Sequence, residues 1–512
     1  MKAKITITLL LSVLCVGLLT LTACSEDPNR TADYNEAHEA EEVGETTEQS
    51  EATDAPVNNE TEPLETPDYN PLFSCNDCGV EENWPGQCNC WRIKVFNDAQ
   101  GEQGSRTLIN VYTFTNETAD MLDVFLEHNP NFSNDYFIRL VYNCVPAHHR
   151  AKIALELSST EHSIDLFVSD IDYAMEFADH SGTATLAELG IEIDESEYYK
   201  YTLDLMRKPR GLMGLAHNAS PGVMYYRADV AEKALGITSE AEMQALVNNW
   251  DDFLTASQKV MEWARREQNN FKMIAGVDEL KRNFLHARRE PWLVNDILNF
   301  DVDMISDFVN VTTALIDMDG VAVKKSAQWD NEWYDGMMDG VFAYFGSTWY
   351  LRFTLTPHAF RSTSDGNWGM IPGPQGFYWG GTFWHGSKAA ATNADKREGV
   401  RQIIEFFCVD NDGIKAWSEV WNDFPAKRTV ARRLADEYSE NPLFLYKTNP
   451  YEVFAEVAEA LRAENVTKYD EVFNVVFNDF IDIVFVDGID IEAALDFMDD
   501  SLKERLGGFP VR

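Results

Sequence analysis

Positive charge is scarce in this chain. Its 512 residues carry 42 Lys and Arg against 85 Asp and Glu, a formal net charge of −43. That balance excludes nucleic acid as the main partner, because phosphate binding needs clustered Lys and Arg. It also argues against an anionic small ligand unless a local basic pocket compensates. Long apolar runs are missing beyond the first 23 residues, so no later segment reads as membrane-spanning. There is no phosphate loop, no Gly-x-Ser-x-Gly elbow and no His-Glu-x-x-His pair. His148 and His149 are adjacent, which is poor metal spacing on a helix face. Cys408-x-Asp410-x-Asp412-Gly413, with Glu419 downstream, falls short of a calcium loop because its first ligand is Cys; it reads as a helix–helix turn. Outside a cysteine cluster near the N-terminus no metal is expected, and no internal repeat is visible.

What is present describes an exported protein with a large core. The chain is 45% hydrophobic, with 13 Trp, 19 Tyr and 30 Phe. At about 150 residues per domain, its length suits two or three units. Lys2 and Lys4 precede an uncharged, largely apolar stretch, Ile5 to Ala23, which ends Leu21-Thr22-Ala23-Cys24. A charged start, an apolar stretch and small residues before a cut describe a secretory signal over residues 1–23. The alternative is an uncleaved membrane helix. Residues 25–70 hold fifteen acids, one Arg (Arg30) and almost no large apolar side chain. Such a segment cannot offset its ordering entropy, so residues 24–72 read as an extended, disordered acidic tether.

Residues 73–106 read as a Cys-rich insert. Cys75, Cys78, Cys88 and Cys90 are spaced C-x2-C-x9-C-x-C. Outside a cell this spacing suits two disulfides, and four close thiols also suit tetrahedral zinc. Disulfides are the favoured reading, with a bound metal and reduced thiols as the alternatives. Cys144 and Cys408 read as buried apolar residues.

The body, residues 107–512, alternates strand, polar loop and helix. Thr107 to Phe114, Tyr136 to Tyr142 and Ile164 to Val168 read as strands, and a helix is expected over Ala119–His128. Farther on, a strand over Gly222–Arg227 leads into a helix over Ala228–Leu235, and Trp250 opens another helix. This is an α/β pattern, expected to build a mainly parallel sheet. Ligands bind at the C-terminal ends of such strands, which puts Asn116, Glu117, Ser169, Asp170 and Asp172 on one rim.

Four stretches then carry a resemblance. They are Asn110-Val-Tyr-Thr-Phe-Thr-Asn-Glu117; Asp165-Leu-Phe-Val-Ser-Asp-Ile-Asp-Tyr173; Pro221-Gly-Val-Met-Tyr-Tyr-Arg-Ala-Asp-Val230; and Val341 to Trp349 with Trp368 to Pro374 and Trp379 to Trp384. In order and spacing the chain resembles the extracellular solute-binding lipoproteins of bacterial ABC transporters, in the carbohydrate-binding group that includes the maltose-binding type. The resemblance implies a two-lobed, periplasmic-binding-protein-like α/β fold with hinge strands. Lobe 1 would take about 107–218 and 386–415, and lobe 2 about 219–385 and 416–512. It implies Cys24 as the lipid-carrying first residue of the mature chain, a membrane permease as partner, a monomer, and neither catalytic residues nor cofactor. It also implies ligand contacts from Asn116, Glu117, Asp172, Trp349, Trp379 and Trp384, with a looser match at Trp292.

The chemistry agrees with that implication. A sugar needs acids and amides for its hydroxyls and flat aromatics for its C–H faces. Each residue also has a structural alternative: core packing for the tryptophans, helix capping for Asp172, a helix dipole for Glu117. Tyr225 and Tyr226 are expected to pack inside. Arg227, Arg288 and Arg289 are the local bases that would shift the ligand away from neutrality. Two other functions fit a lipid-anchored, aromatic-rich acidic protein: a secreted glycoside hydrolase, with two facing carboxyls, or a surface polysaccharide-capture or sensor protein without a permease.

Overall fold

The structure is a computed structural model. It describes residues 91–96 and 105–506, apart from 116, 144, 160, 161, 296, 361, 439 and 440. The signal, Cys24, the tether, the four clustered cysteines, Asn116 and Cys144 therefore lie outside the described residues.

The first lobe is built on a six-stranded sheet. Its order is Arg92–Phe96, Tyr136–Tyr142, Thr107–Thr113, Leu166–Asp170, Thr382–Gly386 and Leu215–Ala216. Side chains alternate across it, as a pleated strand requires. Ile109, Val111, Leu166 and Val168 face one apolar layer, while Tyr112 and Phe167 face the other. Helices Glu117–His128, Ala394–Cys408 and Asn411–Trp421 contribute to the first layer; Pro146–Ser158 and Ile171–Asp179 contribute to the second.

The expectation of a mainly parallel sheet is corrected. Thr107–Thr113 runs parallel to both of its neighbours, but the other three pairings are antiparallel. The reason is connectivity. Thr382–Gly386 returns from the second lobe and enters between Leu166–Asp170 and Leu215–Ala216. Residues 382–385, assigned to the second lobe from sequence, thus hydrogen-bond into the first sheet. Trp417, likewise assigned to the second lobe, packs in the first lobe's core.

The second lobe centres on Pro221–Arg227, buried along its whole length. Ala343–Gly346 and Trp368–Ile371 flank it, and Phe377–Tyr378 pairs with its first residues, all antiparallel. A strand buried on both faces should read as a continuous apolar run, and Val-Met-Tyr-Tyr does. Helix Ala228–Leu235 stands where the sequence placed it. Helices Ala394–Cys408 and Asn411–Trp421 are parted at the turn read from Cys408 to Gly413, where Asp410 accepts the N–H of Asp412 at 3.1 Å and starts the second helix. The near-calcium sequence is therefore a helix cap.

Three chain segments cross between the lobes and hydrogen-bond to one another. Ala219 N–H donates to Phe424 O at 2.9 Å, and Ala426 N–H to His217 O at 3.1 Å. Thr382 N–H donates to the Asn218 side-chain oxygen at 3.0 Å. No helix among the described residues is long and apolar enough to cross a membrane.

Candidate functional site

Two acids stand on the first lobe's rim, each met by an arginine of the second. Asp172 lies in the first turn of Ile171–Asp179, directly after the strand Leu166–Asp170. It does not cap that helix; Asp170 does, accepting the Asp172 N–H at 2.9 Å. The Asp172 carboxylate is free to reach across, and Arg282 binds both of its oxygens at 2.7 Å. Glu117 opens Glu117–His128, and Arg352 Nη1 lies 3.8 Å from its Oε1. The Arg352 guanidinium rests 3.7 Å from the centre of the Trp421 ring. Burial raises Glu117 above the usual carboxylate range against the pull of Arg352, and burial lowers Arg352 to about 10.

Glu117, His217 and Asp423 bring ligand-type atoms within 4.8 Å of one another at the hinge. Their hydrogen bonding disfavours a cation there. Trp384 Nε1–H donates to His217 Nδ1 at 3.1 Å, so the neutral ring carries its proton on Nε2. That nitrogen faces Asp423 Oδ2 at 3.4 Å and has no lone pair to give a metal. Arg352 adds a positive charge beside the trio. Burial works to raise Asp423, but the Nε2–H of His217, the charge of Arg352 and the Phe424 N–H outweigh it and hold the carboxyl low.

Three tryptophans form a wall near the cleft. Trp349 and Trp329 stack at 5.5 Å, and Trp379 meets Trp349 edge-on at 4.8 Å. Trp349 Nε1–H and Ser347 Oγ–H both donate to the Trp379 carbonyl at 2.7 Å. A β-carbon on Gly380 would come within 2.8 Å of Trp349 Nε1, and Gly380 has φ +71°. Glycine is therefore required for this indole to pack on the backbone. The wall borders a cavity of about 330 Å³, lined in part by Asp172, Arg282, Gln328, Trp329, Trp379 and Glu471. Trp379 is 7% exposed, whereas Trp329 is 39% exposed with φ +78°. A bulky residue held in that backbone region is strained, and such strain clusters at ligand sites.

The residues expected from sequence separate into three groups. Asp172 and Trp379 line the cavity, and Trp349 stands behind it. Glu117 sits at the hinge with Arg352. Trp292 and Trp384 are core residues, which corrects their expected ligand role. Trp292 is 1% exposed and stacks on Phe473 at 4.6 Å; Trp384 is 0% exposed and stacks on Phe407 at 5.2 Å. Tyr225 and Tyr226 are buried, as expected. Arg227 pairs with Asp229, Arg288 with Asp470 and Arg289 with Asp303, so none of the three faces the cavity.

Sequence reading missed Arg282, Gln328, Trp329 and Glu471. One signal was present: Lys281-Arg282 is a basic pair in a strongly acidic chain. Gln328-Trp329 and Glu471 carry none, because their place at the cavity depends on long-range folding. Asp278 holds the first pair there, accepting the N–H groups of Ala327 and Gln328 at 2.8 and 3.2 Å.

The fold is that of known sugar-binding proteins of ABC transporters. The sugar-binding protein MalE from Xanthomonas citri superposes with a TM-score of 0.60 at 16% identity, covering 78% of this chain and 98% of that one. The GacH receptor of Streptomyces glaucescens, solved unliganded and with acarbose, gives 0.58 at 13% identity, covering 78% and 98%. The ABC transporter-associated binding protein of B. animalis subsp. lactis, solved with β-1,6-galactobiose, gives 0.59 at 14% identity, covering 80% and 100%. No curated protein matches the chain. The family model for bacterial extracellular solute-binding proteins matches residues 143–445, more than half of the sequence, and the chain belongs to that family.

Proposed function

We propose that this chain is the sugar-capturing component of an ABC importer, held outside the cytoplasmic membrane by a lipid on Cys24 and passing its ligand unaltered to a permease. The observation that carries the reading is the cavity at the lobe junction, whose lining combines Trp329 and Trp379 with Asp172 and Glu471. Aromatic faces pack on sugar C–H groups, and carboxylates accept from hydroxyls. The structural neighbours include proteins solved with acarbose and with a galactobiose.

Contacts from both lobes let a ligand favour the closed arrangement. Asp172 and Arg282 are the cross-lobe pair that a bound sugar rests against, and Trp329 and Trp379 are its stacking surfaces. The protein acts as a monomer. Lipid and tether keep it near the membrane, and the acidic tether stays extended by self-repulsion.

The test is a thermal-shift screen over mono- and oligosaccharides, because binding raises apparent stability by mass action. At least one sugar should raise Tm and be recovered uncleaved. Failure of every sugar to shift Tm, or release of cleavage products, contradicts the reading. Cleavage would favour a glycoside hydrolase instead.

A further inference from the structure

The charges facing the cavity do not balance. Asp172, Asp278, Glu471 and Asp482 line it against Lys281 and Arg282. Both cations are engaged. Arg282 holds Asp172, and Lys281 Nζ donates to Asn478 Oδ1 at 2.6 Å. Three of the acids are engaged as well. Asp172 has Arg282, Asp278 has two backbone N–H groups, and Asp482 accepts from Ser326 Oγ at 3.0 Å. Glu471 differs: among the described residues its carboxylate receives no hydrogen bond and no direct ion pair.

We propose that this site takes a sugar bearing a protonated amine, and that Glu471 is the carboxylate that pairs with it. The proposal rests on the sugar-binding reading and narrows its ligand class. Glu471 shares the cavity with Asp172, whose charge opposes its own, while Arg282, Arg150 and Lys281 pull the other way without any of them reaching its carboxylate. A neutral hydroxyl can donate one hydrogen bond to Glu471, but it brings no charge to offset that repulsion. An ammonium does both, and charge-assisted hydrogen bonds are the stronger kind.

The surroundings suit the rest of such a molecule. Both ends of the Gln328 side-chain amide are buried without a partner, leaving a donor and an acceptor for adjacent hydroxyls. The open face of Trp329 offers a ring to C–H groups or to the cation itself. Burial, followed by the charge of Asp172, pushes Glu471 up to about 7, so a neighbouring ammonium should displace a proton from it.

The experiment compares matched sugars on the full chain by titration calorimetry at pH 7. Glucosamine, galactosamine and mannosamine, with glucosamine oligomers of two to four units, are each run against the parent sugar with hydroxyl in place of amine. The wild type should bind at least one amine about ten-fold more tightly than its parent, a difference of about 1.4 kcal/mol. Titration in two buffers of different ionisation enthalpy should show net proton release for that amine and none for its parent. In Glu471→Gln the affinity ratio should collapse to about one and the proton release should vanish. Circular dichroism checks that the variant is folded.

The proposal is overturned if no amine outranks its parent, or if the advantage and the proton release persist in Glu471→Gln. Tight binding of parent sugars without an amine advantage sinks this inference alone. Absence of binding by sugars of either kind sinks the sugar-binding reading with it.

Discussion

Asp172 of the first lobe and Arg282 of the second form a two-point ion pair, with both Nη–Oδ distances at 2.7 Å. Both side chains are largely buried, at 13% and 12% exposure. Arg282 also lies 5.5 Å from the centre of the Trp379 ring. The pair therefore joins the lobes and supports one wall of the cavity at once.

Breaking that pair should cost more than removing it. Asp172→Asn leaves a buried guanidinium without its counter-charge, and Arg282→Met does the converse to the carboxylate. Each should lower unfolding free energy by about 3 kcal/mol. The double variant should recover at least about 1 kcal/mol relative to the sum of the singles. Urea denaturation of the four proteins measures the coupling.

Trp329 and Trp292 should respond oppositely to truncation. Trp329→Ala removes a ring from the cavity face and should weaken sugar binding about ten-fold or more, with a small stability change. Trp292→Ala empties a core position against Phe473 and should cost about 3–5 kcal/mol of stability. Tm without ligand and calorimetric affinity, read on the same preparations, separate the two effects.

Gly380→Ala should disturb the aromatic wall from behind. The added carbon meets the Trp349 indole nitrogen, and the backbone lies where L-residues are disfavoured. About 1–2 kcal/mol of destabilisation is expected, with a shift in tryptophan fluorescence as Trp349 loses its bond to the Trp379 carbonyl. An unchanged emission spectrum would contradict the packing described.

Stability should fall as pH rises from about 4.5 to 7. Burial, then Asp172, raises Glu471 to about 7 against the opposing charges of Arg282, Arg150 and Lys281. The folded state then holds a proton that the unfolded chain has released. By linkage, that stabilisation is complete below the unfolded value and lost as pH passes the folded one. Glu279, raised to about 8 chiefly by burial, acts in the same direction. Glu471→Gln should flatten the slope by on the order of 1–2 kcal/mol across this window. Urea midpoints at pH 5 and pH 7.5 give the comparison.

Local pattern made much of this fold legible. Helix Ala228–Leu235 and the strand Tyr136–Tyr142 have the bounds read from their sequences, because each buries a face at its own period. The antiparallel return of Thr382–Gly386 was not legible, since strand partners depend on a chain that leaves the lobe and comes back. The site divided along the same line. Asp172 was readable as a rim residue after a strand, but its occupation by Arg282 joins positions 110 residues apart. Trp384 and Trp379 looked alike in a Gly- and aromatic-rich stretch. One lies in a strand inside the sheet and the other beside the Gly380–Gly381 turn, and only the second reaches the cavity.

Intrinsic tryptophan fluorescence during sugar titration, on wild type and Trp329→Ala, reads sugar contact at the aromatic wall. At least one sugar should give a saturable change, lost or weakened about ten-fold in the variant, and should be recovered intact. A sugar that binds both proteins equally, or a panel that leaves wild-type emission unchanged throughout, would contradict that contact.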